Sequence, residues 1–310
     1  MVVNVNPFFV TGRIPAAYFC DRVVESKVLS QALLSQMNVV VTSPRRMGKT
    51  ALVDFVFQQE VIQKDYFTID VDILHTTCFK EFIYALGTAA YDKIASRSDK
   101  MKRLFIATLR SLSASFGYDP IQNTPTFDIK LGDITTPDYT LREIFNFMEQ
   151  ADKRCLVVID EFQQITKYPE KNIEAVLRSY IQKMSNANFV FAGSQRTVLE
   201  EMFLSSRRPF FQSAKLMQLD AIELSVYQDF VVGHFREGGK DINPEAVEVA
   251  YRSFRGVTLY MQRVMKDAYA TTPQGATCDE RLVEQLIDDF VAENDYRIRG
   301  LLSYISEPQK

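Results

Sequence analysis

Val41-Thr-Ser-Pro-Arg-Arg-Met-Gly-Lys-Thr-Ala-Leu-Val53 is the stretch on which the reading of this chain turns. It grows out of Asn38-Val-Val-Val-Thr42, a β-branched apolar run of the kind that forms a buried parallel strand. It leads into helical periodicity over 49–63, through Leu52, Val53, Val56 and Phe57. A strand that turns tightly into a helix leaves backbone N–H groups pointing inward, at the positive end of the helix dipole. Such a turn cradles phosphate oxygens. The phosphate-loop pattern asks for Gly, four residues, then Gly-Lys-Ser/Thr. Gly48-Lys49-Thr50 supply its second half, but Ser43 stands in place of the first glycine. Gly48 permits close backbone approach, Lys49 reaches the β- and γ-phosphates, and the Thr50 hydroxyl can ligate Mg2+. Serine at 43 is harmless if its backbone angles are ordinary, and strained if they require positive φ. The candidate nucleotide-binding loop is therefore Ser43, Pro44, Arg45, Arg46, Met47, Gly48, Lys49, Thr50 and Ala51. An incidental strand–turn–helix with a surface lysine is the bland alternative.

More than 100 residues later, Leu156-Val-Val-Ile-Asp-Glu161 ends a second apolar strand on two carboxylates. Open α/β sheets bind ligands at the carboxyl ends of their strands. Asp160 there can hold Mg2+, and Glu161 can orient or deprotonate an attacking water. Alone, Asp160 also reads as a helix cap with Glu161 in solvent, the weaker alternative; the phosphate loop upstream weakens it further. Phe189-Val-Phe-Ala-Gly-Ser194 ends a third strand on a small polar residue. Ser194 can meet a γ-phosphate, with Gln195 and Arg196 as rivals and an ordinary strand-to-helix cap as the alternative.

Around these motifs, strands read at 38–42, 65–71, 154–160 and 187–192, alternating with helices at 22–37, 49–63, 78–96, 99–114, 139–151 and 170–184. The alternation predicts an α/β fold, a P-loop domain with a parallel sheet covered on both faces. Residues 115–138, rich in Pro, Thr, Asn and Asp, read as an irregular surface segment. After Leu216-Met-Gln-Leu219 the texture changes to helices near 223–237, 243–253, 256–270 and 278–293, without strands. The expected division is a P-loop domain over 1–220 that includes a leader at 1–21, and a smaller helical lid over 221–295. A further element begins at 296–310.

The chain has 310 residues, 46% of them hydrophobic, with 23 Phe and 14 Tyr, enough for a large core. Net charge is -3 from 36 basic and 39 acidic side chains, which provides no general pull on nucleic acid or anionic lipid. Cys20, Cys78, Cys155 and Cys278 lack paired spacing and read as small apolar residues. With only His75 and His234, a zinc site is not expected. No apolar run approaches the roughly 20 residues of a membrane span, so a cytoplasmic protein is the default expectation.

With these residues assembled, the chain resembles the prokaryotic AAA+ and STAND-like P-loop ATPases, and within them predicted ATP-binding proteins often associated with PD-(D/E)xK nuclease-like domains. Pro7-Phe-Phe-Val-Thr-Gly-Arg-Ile-Pro15, Tyr18-Phe19, Arg22 and Glu25 match the N-terminal segment of that pattern. Pro44-Arg-Arg-Met-Gly-Lys-Thr50, the strand ending in Asp160-Glu161 and Gly193-Ser194 match its later parts. The resemblance implies ATP with Mg2+, a helical lid, and adenine held near Ile14, Pro15, Phe19 and Arg22. It makes Ser43 a permitted variant and Arg45-Arg46 part of the pattern, with the guanidiniums either on phosphate or a neighbouring subunit, or paired within the fold. Three departures stand out. Pro209-Phe-Phe211 is followed by Gln212-Ser213 rather than Gly-Arg, so a trans-acting arginine is missing unless Arg207 or Arg208 substitutes. Arg255-Gly-Val-Thr-Leu-Tyr260 lacks the central proline of the lid element. The chain also stops about where a winged-helix module begins in the family, and DNA binding is expected only through that missing module. The resulting expectation is slow ATP hydrolysis that gates a conformational switch, with ATP and ADP as ligands. A second copy or another protein would supply an arginine. A nucleotide-gated interaction module with negligible hydrolysis is the alternative.

Overall fold

The structure, a computed structural model, describes residues 5–119, 124–127 and 131–302. The chain divides into two compact units, one of 24–45 and 52–219, the other of 1–23, 46–51 and 220–310.

The larger unit is an α/β layer built on five strands: β1 (Val39–Thr42), β2 (Tyr66–Asp72), β5 (Arg154–Asp160), β6 (Ala187–Gly193) and β7 (Lys215–Gln218). They pair in the order β2-β5-β6-β1-β7, all in parallel. β1, β5 and β6 are buried along almost their whole length, as continuous apolar runs in the middle of a parallel sheet must be. The flanking helices are α1 (Val23–Leu34), α2 (Lys49–Phe57), α3 (Glu60–Asp65), α4 (Phe79–Lys93), α5 (Asp99–Thr108), α6 (Pro137–Glu149), α7 (Ile173–Ile181) and α8 (Arg196–Leu204). Phe162, Phe191, Phe203 and Phe210 form one aromatic cluster beside β6, with ring centroids 4.6 to 6.1 Å apart. Cys155, inside β5, has its thiol pushed up to about 12 by burial and behaves as a small apolar residue.

The local departures from expectation have physical causes. The helix expected over 49–63 breaks at Gln59, which is extended (φ -59, ψ 137), and the Gln63 amide takes the Phe57 carbonyl at 2.5 Å. The helix expected over 99–114 ends at Thr108, because the Glu143 carboxylate accepts the N–H groups of Arg110 and Ser111 at 3.1 and 3.0 Å. A 3-10 stretch over Arg110–Ser115 follows. Part of the segment expected to be irregular is a hairpin, β3 (Phe116–Asp119) antiparallel to β4 (Thr124–Phe127); residues 120–123 and 128–130 lie outside the described residues. Turn-rich composition serves a hairpin as well as a loop, and Pro125 is tolerated because each strand of a two-stranded ribbon is an edge. β7 is half exposed, which is why its pattern does not announce a strand.

The second unit is built on α9 (Leu224–Glu237), α10 (Pro244–Phe254), α11 (Thr258–Thr271) and α12 (Glu280–Leu302). It is not wholly helical: β8 (Asp241–Ile242) pairs in parallel with β9 (Thr277–Cys278). The α12 backbone runs without a break through 296–302, and residues 303–310 of the expected further element lie outside the described residues. The leader clusters here rather than with the sheet. Its anchor is Phe8, 1% exposed, whose ring lies 6.0, 5.8 and 5.9 Å from those of Phe230, Phe235 and Tyr269. The Asn6 amide donates to the Lys266 carbonyl at 2.8 Å. Among the described residues, no helix is long and apolar enough to cross a membrane.

Phe8→Ala should empty this aromatic pocket and destabilise the unit by about 3–5 kcal/mol. Urea unfolding checks it: a midpoint equal to wild type would show that the leader is not a structural part of the unit.

Candidate active site

Strand register builds the first half of the site. Thr42 pairs with Gly193 across β1 and β6, and Ile159 pairs with Phe191 across β5 and β6. Ser43, Ser194 and the Asp160-Glu161 pair therefore leave the sheet at the same edge, the carboxyl end of a parallel sheet.

Glu161 is in the left-handed region (φ 54, ψ 38), a conformation that is uncommon for a side-chain-bearing residue. This turn is held locally. The Glu161 N–H donates to Asp160 Oδ1 at 2.8 Å, and the Gln164 N–H donates to the Glu161 carbonyl at 2.8 Å. Glu161 Oε2 accepts the Ser194 hydroxyl at 2.9 Å and the Gln163 amide at 2.5 Å. Ser194 in turn accepts Arg45 Nε–H at 3.3 Å. Of the three candidates after β6, Ser194 is the one that meets Glu161. Arg196 pairs with Glu200 one helical turn on, at 2.6 Å, and Gln195 sits at the N-cap of α8.

At the first-glycine position Ser43 is buried and keeps an ordinary negative φ, so serine costs no backbone strain there. Its hydroxyl donates to the Pro44 carbonyl at 3.1 Å. Positive φ falls instead on Arg46 (φ 72) and Gly48 (φ 84).

The rest of the loop, Arg46–Ala51, belongs to the second unit with the leader. The Arg46 carbonyl accepts the Leu259 N–H at 3.1 Å, and its guanidinium lies 5.0 Å from the centre of the Tyr260 ring. Arg22, 4% exposed, donates to the carbonyls of Met47 at 3.2 Å and Asp220 at 2.7 Å. Lys49 is buried, and Thr50 follows it in the first turn of α2. Ile14 and Phe19 are half-buried in the same unit, and Pro15 is exposed. Within the lid element, Gly256 has φ 72, and a Cβ there would stand 2.6 Å from Ala221 Cβ, so glycine is required.

The two arginines near the α8–β7 connection differ. Arg208 is held by Glu174 at 2.5 Å and Glu201 at 3.5 Å, and burial pushes the Glu174 carboxyl up while Arg208 pulls it down. Arg207 is exposed.

The sequence model of an ATPase domain predominantly from Archaea matches residues 19–264. None of the curated proteins matches the chain. Among solved structures, the Walker-type ATPase PABY2304 of Pyrococcus abyssi is similar with a TM-score of 0.65 at 14% identity, over 96% of this chain and 79% of that one. The Aeropyrum pernix ORC2 protein, solved in ADPNP–ADP complexes, has a TM-score of 0.59 at 15% identity, over 91% and 71%. The Aeropyrum pernix ORC1 protein, solved with DNA, has a TM-score of 0.56 at 12% identity, over 88% and 66%. At these identities the likeness shows the fold alone, a parallel α/β sheet with a helical segment after it.

The sequence pattern does not announce Gln163, Leu259 or Tyr260 as site residues, and Arg22, expected near adenine, donates to the Met47 carbonyl of the loop. The only signal for Gln163 was its position two residues after the acidic pair.

Two substitutions separate the glycine-like positions. Gly48→Ala should cost about 1–2 kcal/mol of stability, from the left-handed backbone. Ser43→Gly should cost only about 0.4–1 kcal/mol, through the freer unfolded chain. Paired denaturation curves test the order, and a larger loss at Ser43 would contradict it.

Proposed function

The chain belongs to the ATPase domain family found predominantly in Archaea, and on that premise we propose that it binds ATP with Mg2+, hydrolyses the β–γ phosphoanhydride slowly, and acts as a nucleotide-gated switch. The observation that carries this reading is the Glu161 carboxylate, placed at the carboxyl end of β5 beside Asp160 and held by the Ser194 hydroxyl.

Each residue has a defined role. The loop N–H groups over Ser43–Ala51 and the Lys49 ammonium neutralise the phosphate oxygens. Thr50 and Asp160 are hard oxygen donors, the set that suits Mg2+, and they would hold the ion. When bound, that ion supplies charge neutralisation on the β- and γ-phosphate oxygens. Glu161 orients a water and takes its proton as the water oxygen bonds to the γ-phosphorus. The bond to the β–γ bridging oxygen breaks, and ADP leaves with the electron pair. Ser194, already bonded to Glu161 and Arg45, senses the γ-phosphate. Ile14, Pro15 and Phe19 line the adenine, while Arg22 holds the loop backbone. Nucleotide binding is passed from the loop to the helical segment after about 220.

Slow turnover follows from the arginines. Arg208 is engaged by two glutamates of its own chain, so Arg207 of a second copy, or an arginine of another protein, completes the site. The same observation favours a second reading, in which nucleotide binding gates a protein or DNA contact and hydrolysis is negligible. A DNA complex is known for the Aeropyrum ORC1 protein.

Glu161→Gln should lower single-turnover hydrolysis by about 10²–10⁴-fold, while calorimetry shows ATP binding retained. Lys49→Ala should abolish binding. A wild-type chain that binds ATP and never hydrolyses it would leave the gated-contact reading; one that binds no nucleotide would sink both. Specific activity should rise with protein concentration and lose that rise in Arg207→Ala.

A further inference from the structure

Gln163 is 2% exposed, and its carboxamide is used at one end only. Nε2 donates to Glu161 Oε2 at 2.5 Å, whereas Oε1 is buried with no hydrogen-bond partner. An orphaned buried acceptor is unfavourable, and an apolar side chain of the same length would avoid it. The amide orientation is fixed by its neighbours: flipping it would press Oε1 against the Glu161 carboxylate. The other end of the side chain lies under the last residue of β6. A Cβ built on Gly193 would stand 2.0 Å from Gln163 Oε1 and 2.7 Å from Leu199 Cδ1. Glycine at 193 is therefore the condition for Gln163 to lie where it does.

We infer that Gln163 is a positioning residue for the ATPase reaction: wedged beneath Gly193, it fixes the orientation of the Glu161 carboxylate together with Ser194. The inference rests on the function proposed above and deepens it. Two donors from different elements, the 3-10 turn after β5 and the end of β6, converge on one carboxylate oxygen. A carboxylate held by Ser194 alone can rotate about its remaining torsions; the second donor removes that freedom. Glu161 sits on a left-handed turn at the start of the 3-10 stretch, and both donors reach its carboxylate there. A side chain that served packing alone would not need the amide. The orphaned Oε1 is the cost of having Nε2 in that place.

The test is steady-state ATP hydrolysis by wild type, Gln163→Met, Gly193→Ala and the double variant, with thermal unfolding and calorimetric ATP binding on each. Gln163→Met keeps length and removes both the donor and the orphaned acceptor. It should unfold at or above the wild-type temperature, bind ATP as wild type does with unchanged KM, and lose about 100-fold in kcat. Gly193→Ala, which displaces the same side chain, should lose kcat likewise, and the double variant should lose no more than the worse single one. Gln163→Met with wild-type or raised kcat overturns the inference, as do additive losses in the double variant. A fall in kcat that tracks a lowered unfolding temperature also overturns it, because that is what a packing role predicts. Should Gly193→Ala fail to fold, the Gln163→Met arm decides by itself. A wild-type chain that binds ATP without turnover fails the hydrolysis reading instead, a result distinct from all of these and one that overturns this inference with it.

Discussion

The parallel pairing of β1 with β6, and of β6 with β5, is the constraint on which the site depends. Parallel strands in register bring their carboxyl ends to one edge, so residues far apart in the chain emerge side by side. The central strands are mostly apolar and almost wholly buried, and can be satisfied only inside a covered sheet. Their burial leaves the first polar residue after each strand no choice but to lie at the sheet's edge. Ser43, Glu161 and Ser194 occupy that position. The chemistry is thus set where hydrophobic burial ends.

This arrangement explains why a serine can replace the first glycine of the loop. Ser43 continues the buried strand and adopts ordinary backbone angles, so a Cβ is no burden. The left-handed residues come later, at Arg46 and Gly48. Arg46 meets the cost of its angles with a carbonyl bonded to Leu259 and a guanidinium over Tyr260. Gly48 has no side chain to strain. The two arginines, alike in sequence, part company: Arg45 turns to Ser194 in the sheet unit, and Arg46 to α11 in the other.

What was legible in the sequence was whatever local pattern determines. A valine run ending in a small polar residue and GKT, and an apolar run ending in Asp-Glu, each announce a strand and its edge. The P-loop ATPase reading followed from these, and the matched family, an ATPase domain, bears it out. The leader's allegiance was not legible, because nothing in Pro7-Phe-Phe9 says which core Phe8 enters. β7 was hidden by its half-exposed surface, and the hairpin at 116–127 by a composition that suits loops equally. Gln163 was hidden for a deeper reason. Its significance lies in the absence of a Cβ at Gly193, thirty positions away, and no periodicity records a gap left by another residue.

The bracing of the loop bears on how a nucleotide signal leaves it. Within the second unit, three separate contacts grip Arg46 and Met47: the Arg22 guanidinium on the Met47 carbonyl, the Leu259 N–H on the Arg46 carbonyl, and Tyr260 beneath the Arg46 guanidinium. Two of the three come from the first turn of α11, and the third from Arg22, just after the leader. By linkage, a ligand that reordered the loop backbone would change the free energy of those same contacts, and whatever shifted α11 would change that ligand's affinity by the same factor. Two of the three contacts are single hydrogen bonds to main-chain carbonyls, which mutation of the Arg46 or Met47 side chain leaves in place. Arg22 offers the sharper lever, because its guanidinium also holds the Asp220 carbonyl at the entrance to the C-terminal helices. One buried cation thus ties the loop, the leader and the start of the helical segment into a single mechanical element.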